Sequence, residues 1–426
     1  MLGDEMGLGK TVQALAVMVH FQASGIGRHF IVVAPASIVR NWERECTRHT
    51  TLVPFLAYGP EKTAEIGKWI EQGGVAITSY TTLRALDLAA TLRDRAIQPT
   101  MVVFDEAHFI KNPSARRTQA SRDLAAMARH ACLMTGTPLE NRLEEFRALL
   151  EVVDSKIART SEGVVGGVVV EPSRFQMAIA PVYLRRKVRE VLRELPEKLE
   201  HEEWVDLDAA DRDAYRSALA SGNYMAVRRS VTAHGVHTTA KLERLKGLVR
   251  MHTEAGRKCL VFSFFLAVLD AVERELDTFG RLTGQVSPDQ RSRIVASFER
   301  ASGPAVLLAQ ITAGGVGLNL QAASVVILME PQFKPSTEQQ AIARAHRMGQ
   351  TERVYVHRLL AAESVDERMV ELLRGKLDTF RRYADPSLLK EASRESTEAR
   401  FAQAVIAVER ARLGIEGRAT INPGEL

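Results

Sequence analysis

The sequence predicts an α/β protein of two doubly wound parallel-sheet lobes with helical insertions. Three observations lead there. Short runs that are apolar at every position alternate with longer helical patterns. Strands apolar on both faces belong to parallel sheets covered on both sides, and the strand–helix rhythm is that of a doubly wound domain. The rhythm also occurs twice, with an irregular stretch between. A chain of 426 residues exceeds what one hydrophobic core ordinarily organises.

In the first half the expected strands are Phe30-Ile31-Val32-Val33-Ala34, closed by Pro35, then Val75-Ala76-Ile77-Thr78, Met101-Val102-Val103-Phe104 and Ala131-Cys132-Leu133-Met134. Helical patterns cover residues 12–21, 37–49 and 114–129. From Glu151 the rhythm fails. Gly163, Gly166 and Gly167 mark a loop, Pro172 and Pro181 follow, and a basic helical segment at 184–195 ends at Pro196. Residues 208–256 read as mostly helical. Strands then resume at Cys259-Leu260-Val261-Phe262, Ala305-Val306-Leu307-Leu308, Val325-Val326-Ile327-Leu328 and Val354-Tyr355-Val356. The expected division is a first lobe at 1–170, a connector at 171–199, a second lobe at 200–378 and a helical tail at 379–426. In the tail, Asp385-Pro386 reads as an N-cap and first helical position, and Ala402, Val405 and Ile406 as an apolar stripe.

Composition narrows the class. Hydrophobic content of 46% and charged content of 26% suit a globular chain. The net charge of +5 permits a nucleic-acid partner without requiring one. Cys46, Cys132 and Cys259 form no CxxC pair, which speaks against a zinc site or disulfide framework and for a reducing, cytoplasmic setting. No apolar run is long enough to span a membrane, and the N-terminus carries acids where a signal peptide carries bases. No membrane partner is expected.

The first chemistry-bearing stretch is Gly3-Asp4-Glu5-Met6-Gly7-Leu8-Gly9-Lys10-Thr11. Gly7 and Gly9 let successive N–H groups approach an anion. Lys10 suits the β- and γ-phosphates, the Thr11 hydroxyl suits Mg²⁺, and the following helix adds its positive end. Asp4 stands where the strict phosphate-loop pattern has glycine, and an ordinary Gly-rich turn uses the same residues. Only Met1 and Leu2 precede the loop, so the strand that normally feeds it is expected to be missing.

Asp105-Glu106-Ala107-His108 follows the run ending at Phe104, at the carboxyl end of an expected strand, where α/β sheets bind ligands. Asp105 could hold Mg²⁺ through water, and Glu106 could take a proton from an attacking water. A solvated acidic loop is the alternative. Thr135-Gly136-Thr137-Pro138 is a turn or a hydroxyl-bearing sensor of that acidic pair. In the second half, Gln340 to Arg347 places Arg344 and Arg347 three apart on an expected helix, able to neutralise phosphoryl charge. Ala313 to Asn319 is a Gly-rich loop that could approach a phosphate. His346 and His357 read as structural histidines, and Trp42, Trp69 and Trp204 as packing residues.

In this order the pieces resemble the Swi/Snf family of DNA-dependent ATPases within helicase superfamily two, over nearly the whole chain to about Lys376. Asp4 to Thr11 is similar to the family's motif I, Val33 to Trp42 to motif Ia, and Thr78-Ser79-Tyr80 to motif Ib. The DEAH at 105–108 with Ile110-Lys111-Asn112-Pro113 resembles motif II, and Thr135 to Asn141 motif III. Leu184-Arg185-Arg186-Lys187 with Leu195 to Lys198 resembles the block between the lobes. Leu260 to Ser263 resembles motif IV, Ala313 to Leu320 motif V, and Gln340 to Gln350 motif VI.

The resemblance implies RecA-like lobes with ATP between them, and ATP and Mg²⁺ as cofactors. It implies Lys10, Asp105, Glu106, Arg344 and Arg347 as catalytic groups. Gly7, Gly9, Lys10, Thr11, Gln340 and Gly315 would bind nucleotide, and Thr11 and Asp105 the metal. Pro35, Ser37, Ser79, Ser263 and Thr312 would contact the phosphate backbone of double-stranded DNA. The function implied is a monomeric, prokaryotic-style translocase, nucleoid-associated in the cytoplasm, that remodels or displaces DNA-bound protein such as RNA polymerase. An ATPase-deficient DNA-binding fragment and a strand-separating helicase are the alternatives. The sequence departs from the family in lacking the adenine-holding motif upstream, in a short segment after motif III, and in Phe333-Lys334-Pro335 where an aromatic-Asn-Pro is usual.

Overall fold

The computed structural model describes residues 1–136, 143–158, 177–192, 194–235, 237–314, 320–371 and 398–415. Two compact units divide between residues 193 and 194, with residues 398–415 belonging to the second.

The first unit carries a five-stranded sheet, all of its pairs parallel: β1 (His29–Ala34), β2 (Pro54–Leu56), β3 (Gly74–Ser79), β4 (Met101–Asp105) and β5 (His130–Met134), in the spatial order β2-β3-β1-β4-β5. β1 is central. Phe30 lies opposite both Val75 and Met101. Helices Lys10–Ala23, Val39–His49, Lys62–Gln72, Tyr80–Leu86, Leu88–Asp94, Arg116–Met127 and Leu143–Val153 belong to this unit. Ile31, Val33, Trp69, Val102, Phe104 and Leu133 share the core on one face, and the intervening Phe30, Val32 and Val103 are buried too, which is why the central strands read as unbroken apolar runs. Pro35, with no N–H to donate, stands immediately after β1.

Beyond β5 the sheet continues in a form the sequence reading did not foresee. Leu2 bridges Met134 on one side and Leu184 on the other, both in parallel sense. Residues 184–195 were expected to be a basic helix, yet among the described residues of that stretch only Val188–Val191 is helical. The backbone of the preceding residues is taken up elsewhere: Leu184 N donates to Met1 O, and Gly3 N and Glu5 N donate to Leu184 O and Arg186 O. A segment whose main-chain groups pair with a neighbouring strand cannot also close helical turns.

The second unit holds a six-stranded sheet, again with every pair parallel: β6 (Lys198–Val205), β7 (Cys259–Ser263), β8 (Gly280–Leu282), β9 (Val306–Gln310), β10 (Val325–Leu328) and β11 (Val354–Ala361), in the order β6-β11-β10-β7-β9-β8. The buried centre, β10 and β7, is apolar, and these strands were foreseen. β6 is an edge strand, polar at most positions, joined to β11 through eight residue pairs. Charge partners replace an apolar signature there: Arg358 Nη1 donates to Glu200 Oε2 at 2.7 Å. Residues 208–256 form the expected helices, Ala209–Ser221, Tyr224–Ser230 and Ala240–Glu254, capped by Asp208, Asn223 and Thr239. In helix Glu398–Leu413 the expected stripe Ala402, Val405 and Ile406 is buried with Tyr215, Leu219 and Tyr224. Asp385-Pro386 lies outside the described residues. No helix among the described residues is long and apolar enough to cross a membrane.

Between β11 and helix Ala240–Glu254 lies a buried histidine pair. His252 Nε2 and His357 Nε2 are 2.9 Å apart, and His357 Nδ1 is 2.7 Å from Glu203 Oε1. Burial pushes His252 down to about 4, with His357, Arg257 and His201 adding to the effect and Glu203 opposing it. The unfolded chain protonates this ring near the usual histidine value of about 6.5. Between that value and about 4 the unfolded state therefore holds the extra proton, and the fold loses stability as the pH falls. The expected outcome is a urea midpoint for the second unit that drops between pH 6.5 and 4.5 and drops less in His252→Gln. Identical pH profiles for parent and variant would remove His252 as the cause.

Candidate functional site

The loop at residues 3–11 has the backbone shape that its glycines permit. Gly7 (φ 90°) and Gly9 (φ 71°) occupy the left-handed region, which a side chain disfavours. Gly9 immediately precedes helix Lys10–Ala23, whose first N–H groups have no intrahelical acceptor and so suit an anion. Lys10 curls back over the loop, its Nζ donating to Asp4 O at 2.8 Å and Glu5 O at 3.3 Å. Thr11 is half-buried on the first turn. Gln13 braces the loop by donating to Leu8 O at 2.9 Å.

Asp4, in the position of the usual first glycine, is fully buried. Its Oδ1 accepts from Arg186 N at 2.9 Å, its Oδ2 accepts from Arg186 Nε at 3.1 Å, and the Arg186 Nη2 reaches the same oxygen. Burial pulls the Asp4 pKa upward, but the bonds from Arg186 and Gln13 outweigh it and hold the carboxyl below its usual value.

Asp105 ends β4 and Glu106 follows with φ 49°, left-handed for a residue with a side chain. Asp105 Oδ1 accepts from Glu106 N at 2.9 Å, and Oδ2 from the Trp42 indole N–H at 2.8 Å. Tyr80 Oη fixes the Asp105 carbonyl at 2.7 Å. Burial first, then the neighbouring Glu106 charge, raises Asp105 to about 6, while Trp42 and Lys10 favour its ionised form. Each carboxylate oxygen keeps a lone pair beyond the bond it accepts. The Asp105 carboxylate thus fits Mg²⁺, which retains several waters and takes one or two protein oxygens beside phosphate, and the Thr11 hydroxyl is the second oxygen of the chemical type it would take. The metal would supply charge neutralisation at the phosphates. Glu106 Oε2 lies 3.4 Å from His108 Nδ1.

Of the other candidates in the first unit, Pro35 is buried, Ser37 is exposed at the start of the turn after β1, and Ser79 is buried, capping helix Tyr80–Leu86 through Thr82 N. In the second unit Thr312 is exposed and Gln340 half-buried. Ser263 is buried, and its hydroxyl donates to Glu330 at 3.1 Å. Gly315, most of the Gly-rich loop and residues 137–141 lie outside the described residues. The expected helical placement of the arginine pair is corrected: helix Pro335–Ile342 stops before Arg344. The Arg344 carbonyl is taken by Leu320 N, and that of Ala345 by the Gln350 side chain. Arg344 and Arg347 therefore lie half-buried in the turns that follow. His346 and His357 are satisfied, as expected, by Pro196 O and Glu203.

Sequence reasoning assigned Trp42 to packing and gave Arg186 no role. The available signal for Trp42 is chemical: a buried indole N–H usually needs an acceptor.

Comparison with known proteins gives two family matches, the SNF2-related domain over residues 1–253 and the helicase conserved C-terminal domain over residues 240–349. The Bacillus subtilis (strain 168) protein YwqA, named as an ATP-dependent helicase/translocase, is 30% identical over 88% of this chain and 45% of its own length. The CHD3-type chromatin-remodeling factor CHR7 of Arabidopsis thaliana is 27% identical over 88% and 35%. An uncharacterized ATP-dependent helicase of Mycoplasma pneumoniae is 30% identical over 88% and 39%. The chain thus spans less than half the length of these relatives. Among solved structures, the Sulfolobus solfataricus SWI2/SNF2 ATPase core in complex with dsDNA covers 98% of this chain, and the match covers 92% of that one, at 22% identity and a TM-score of 0.43.

Trp42→Phe keeps the buried ring and deletes the donor to Asp105. Partners behind a metal ligand are worth about 10–100-fold in metal affinity or activity. With Asp105 holding Mg²⁺ for an ATPase, as proposed below, the expected outcome is a Mg²⁺ requirement for nucleotide turnover shifted upward by about tenfold with little change in melting temperature. An unshifted Mg²⁺ titration would show that the indole only packs.

Proposed function

As the chain belongs to the SNF2-related family, we propose that it is a DNA-dependent ATPase that moves along duplex DNA and remodels or displaces protein bound there. The observation that carries this reading is the convergence of Lys10 and Asp105 in one unit. Lys10 belongs to a glycine loop opening a helix, and Asp105 ends the strand next to β5, where the lysine charge bears on the acid. A cation for phosphate and a carboxylate for Mg²⁺ are two of the recurring parts of phosphoryl-transfer sites.

In this reading Gly7, Gly9, Lys10 and Thr11 cradle the phosphates of ATP, with Gln340 and Gly315 as further nucleotide contacts. Asp105 and Thr11 hold Mg²⁺, and Glu106 accepts the proton of the attacking water. Arg344 and Arg347 neutralise charge on the transferring phosphoryl group. The left-handed turn at Glu106 supports its role, because strain of this kind persists where the surrounding structure fixes it. Exposed Ser37 and Thr312 are direct candidates for DNA phosphate. Buried Ser79 and Ser263 hold the loops that carry such contacts, and Pro35 ends its strand. Contacts of this kind give affinity and little sequence choice. The setting proposed is the nucleoid of a bacterial cytoplasm.

Lys10→Ala and Glu106→Gln are each expected to abolish ATP hydrolysis while leaving duplex binding within about twofold, measured by phosphate release and by DNA titration. Hydrolysis at the parent rate in both variants would show the site to be elsewhere. DNA binding is expected to be indifferent to sequence and to weaken by orders of magnitude between 50 and 200 mM salt, about what several released phosphate counterions produce. Salt-independent affinity would point to a different partner.

A further inference from the structure

The edge of the phosphate loop is clasped by residues 182–188. Met1 N donates to Val182 O, Gly3 N to Leu184 O and Glu5 N to Arg186 O, while Val188 N donates to Glu5 Oε2 at 2.8 Å. A Cβ on Gly3 would lie 2.6 Å from the Tyr183 ring, so the two segments are in close contact. Within this clasp, Asp4 is fully buried while Arg186 is partly exposed. Arg186 turns three donors on the Asp4 carboxylate, N, Nε and Nη2, with Nε shared between both oxygens, and its Nη2 also reaches Gln13 Oε1 at 2.6 Å.

An acid in the first position of a phosphate loop presents a problem. A buried carboxylate without a cation would repel the polyphosphate, and it would offer Lys10 a competing anion. Lys10 already docks on the Asp4 carbonyl at 2.8 Å, on the same residue that carries this carboxylate. We propose that Arg186 is a positioning residue of the nucleotide site: by neutralising Asp4 and occupying both oxygens of its carboxylate, it keeps Lys10 available for phosphate. Arg186 itself touches no phosphate. The carboxylate and the guanidinium together behave as a neutral, hydrogen-bonded filler in place of the usual glycine. This inference rests on reading the loop as a nucleotide site.

The test is equilibrium titration with methylanthraniloyl-labelled ADP and Mg²⁺, without DNA, on the full chain and on Asp4→Asn, Arg186→Met, Arg186→Lys and Asp4→Asn/Arg186→Met. Removing a charged hydrogen-bond partner from a buried acid is a tenfold-scale event or larger. Arg186→Met is expected to weaken labelled-ADP binding at least about tenfold, and the double variant to recover most of that loss, because Asn removes the charge that Arg186 was countering. Arg186→Lys, which keeps the charge without the fork, falls between. Melting temperatures separate lost affinity from lost fold. Should Arg186→Met not fold, the double variant and Arg186→Lys carry the comparison: a double variant that binds more weakly than Arg186→Lys overturns the proposal. Parent-like affinity in Arg186→Met overturns it, as does equal weakness in Arg186→Met and the double variant, which would show a purely structural clasp. Failure of the parent itself to bind labelled ADP overturns the reading of the site along with the inference.

Discussion

A parallel sheet sends the carboxyl ends of its strands to one rim, and the candidate site of the first unit follows from that constraint. β1, β3, β4 and β5 run the same way, and Leu2 bridges Met134 in the same sense. Pro35, the Ser79 cap, Asp105, Thr135 and the glycine loop therefore leave the sheet along one edge. β1, β3 and β4 are held by backbone ladders and by side chains buried on both faces, so the groups at their ends are placed by the core and need little local encoding.

Two acids on that rim show how environment divides like groups into different roles. Asp4 and Asp105 are both withdrawn from water. Arg186 supplies Asp4 with a full counter-charge and three donors, and its carboxyl lies below the ordinary range. Asp105 has neutral donors at 2.8 and 2.9 Å, from Trp42 and the Glu106 backbone, and a second acid beside it, and its carboxyl rises to about 6. The first is a locked structural anion. The second retains lone pairs and an incomplete charge balance, which a cation would complete. The Glu106 carboxylate has a different neighbour, His108 Nδ1 at 3.4 Å.

The second unit balances charge differently. Edge strand β6 carries Glu200 and Glu203, matched by Arg358 and His357 of β11 and by Arg244. Such pairs contribute modestly to stability where they are exposed. They do set the register of a strand that lacks an apolar face, and they blunt an otherwise open edge.

Patterns that act over neighbouring residues were legible in the amino-acid order. Unbroken apolar runs marked the buried strands, Gly7 and Gly9 marked the loop, and Ala402, Val405 and Ile406 marked a helix that does bury that stripe. The acidic pair was found because it directly follows such a run. The three-residue strands β2 and β8, polar β6, and the strand-like pairing of residues 184–186 escaped, since their partners lie elsewhere in the chain and no local period records them. Arg344 and Arg347 were expected on a helix that stops at Ile342, because backbone acceptors needed for another turn are claimed by Leu320 and Gln350. The sequence by itself determined the α/β class, the strand–helix order and the family's motifs, since these depend on spacing along one chain. Only the tertiary structure decided that Trp42 serves Asp105 and that Arg186 answers Asp4, because a hydrogen bond across 63 or 182 residues exists only once the sheet has brought its ends together.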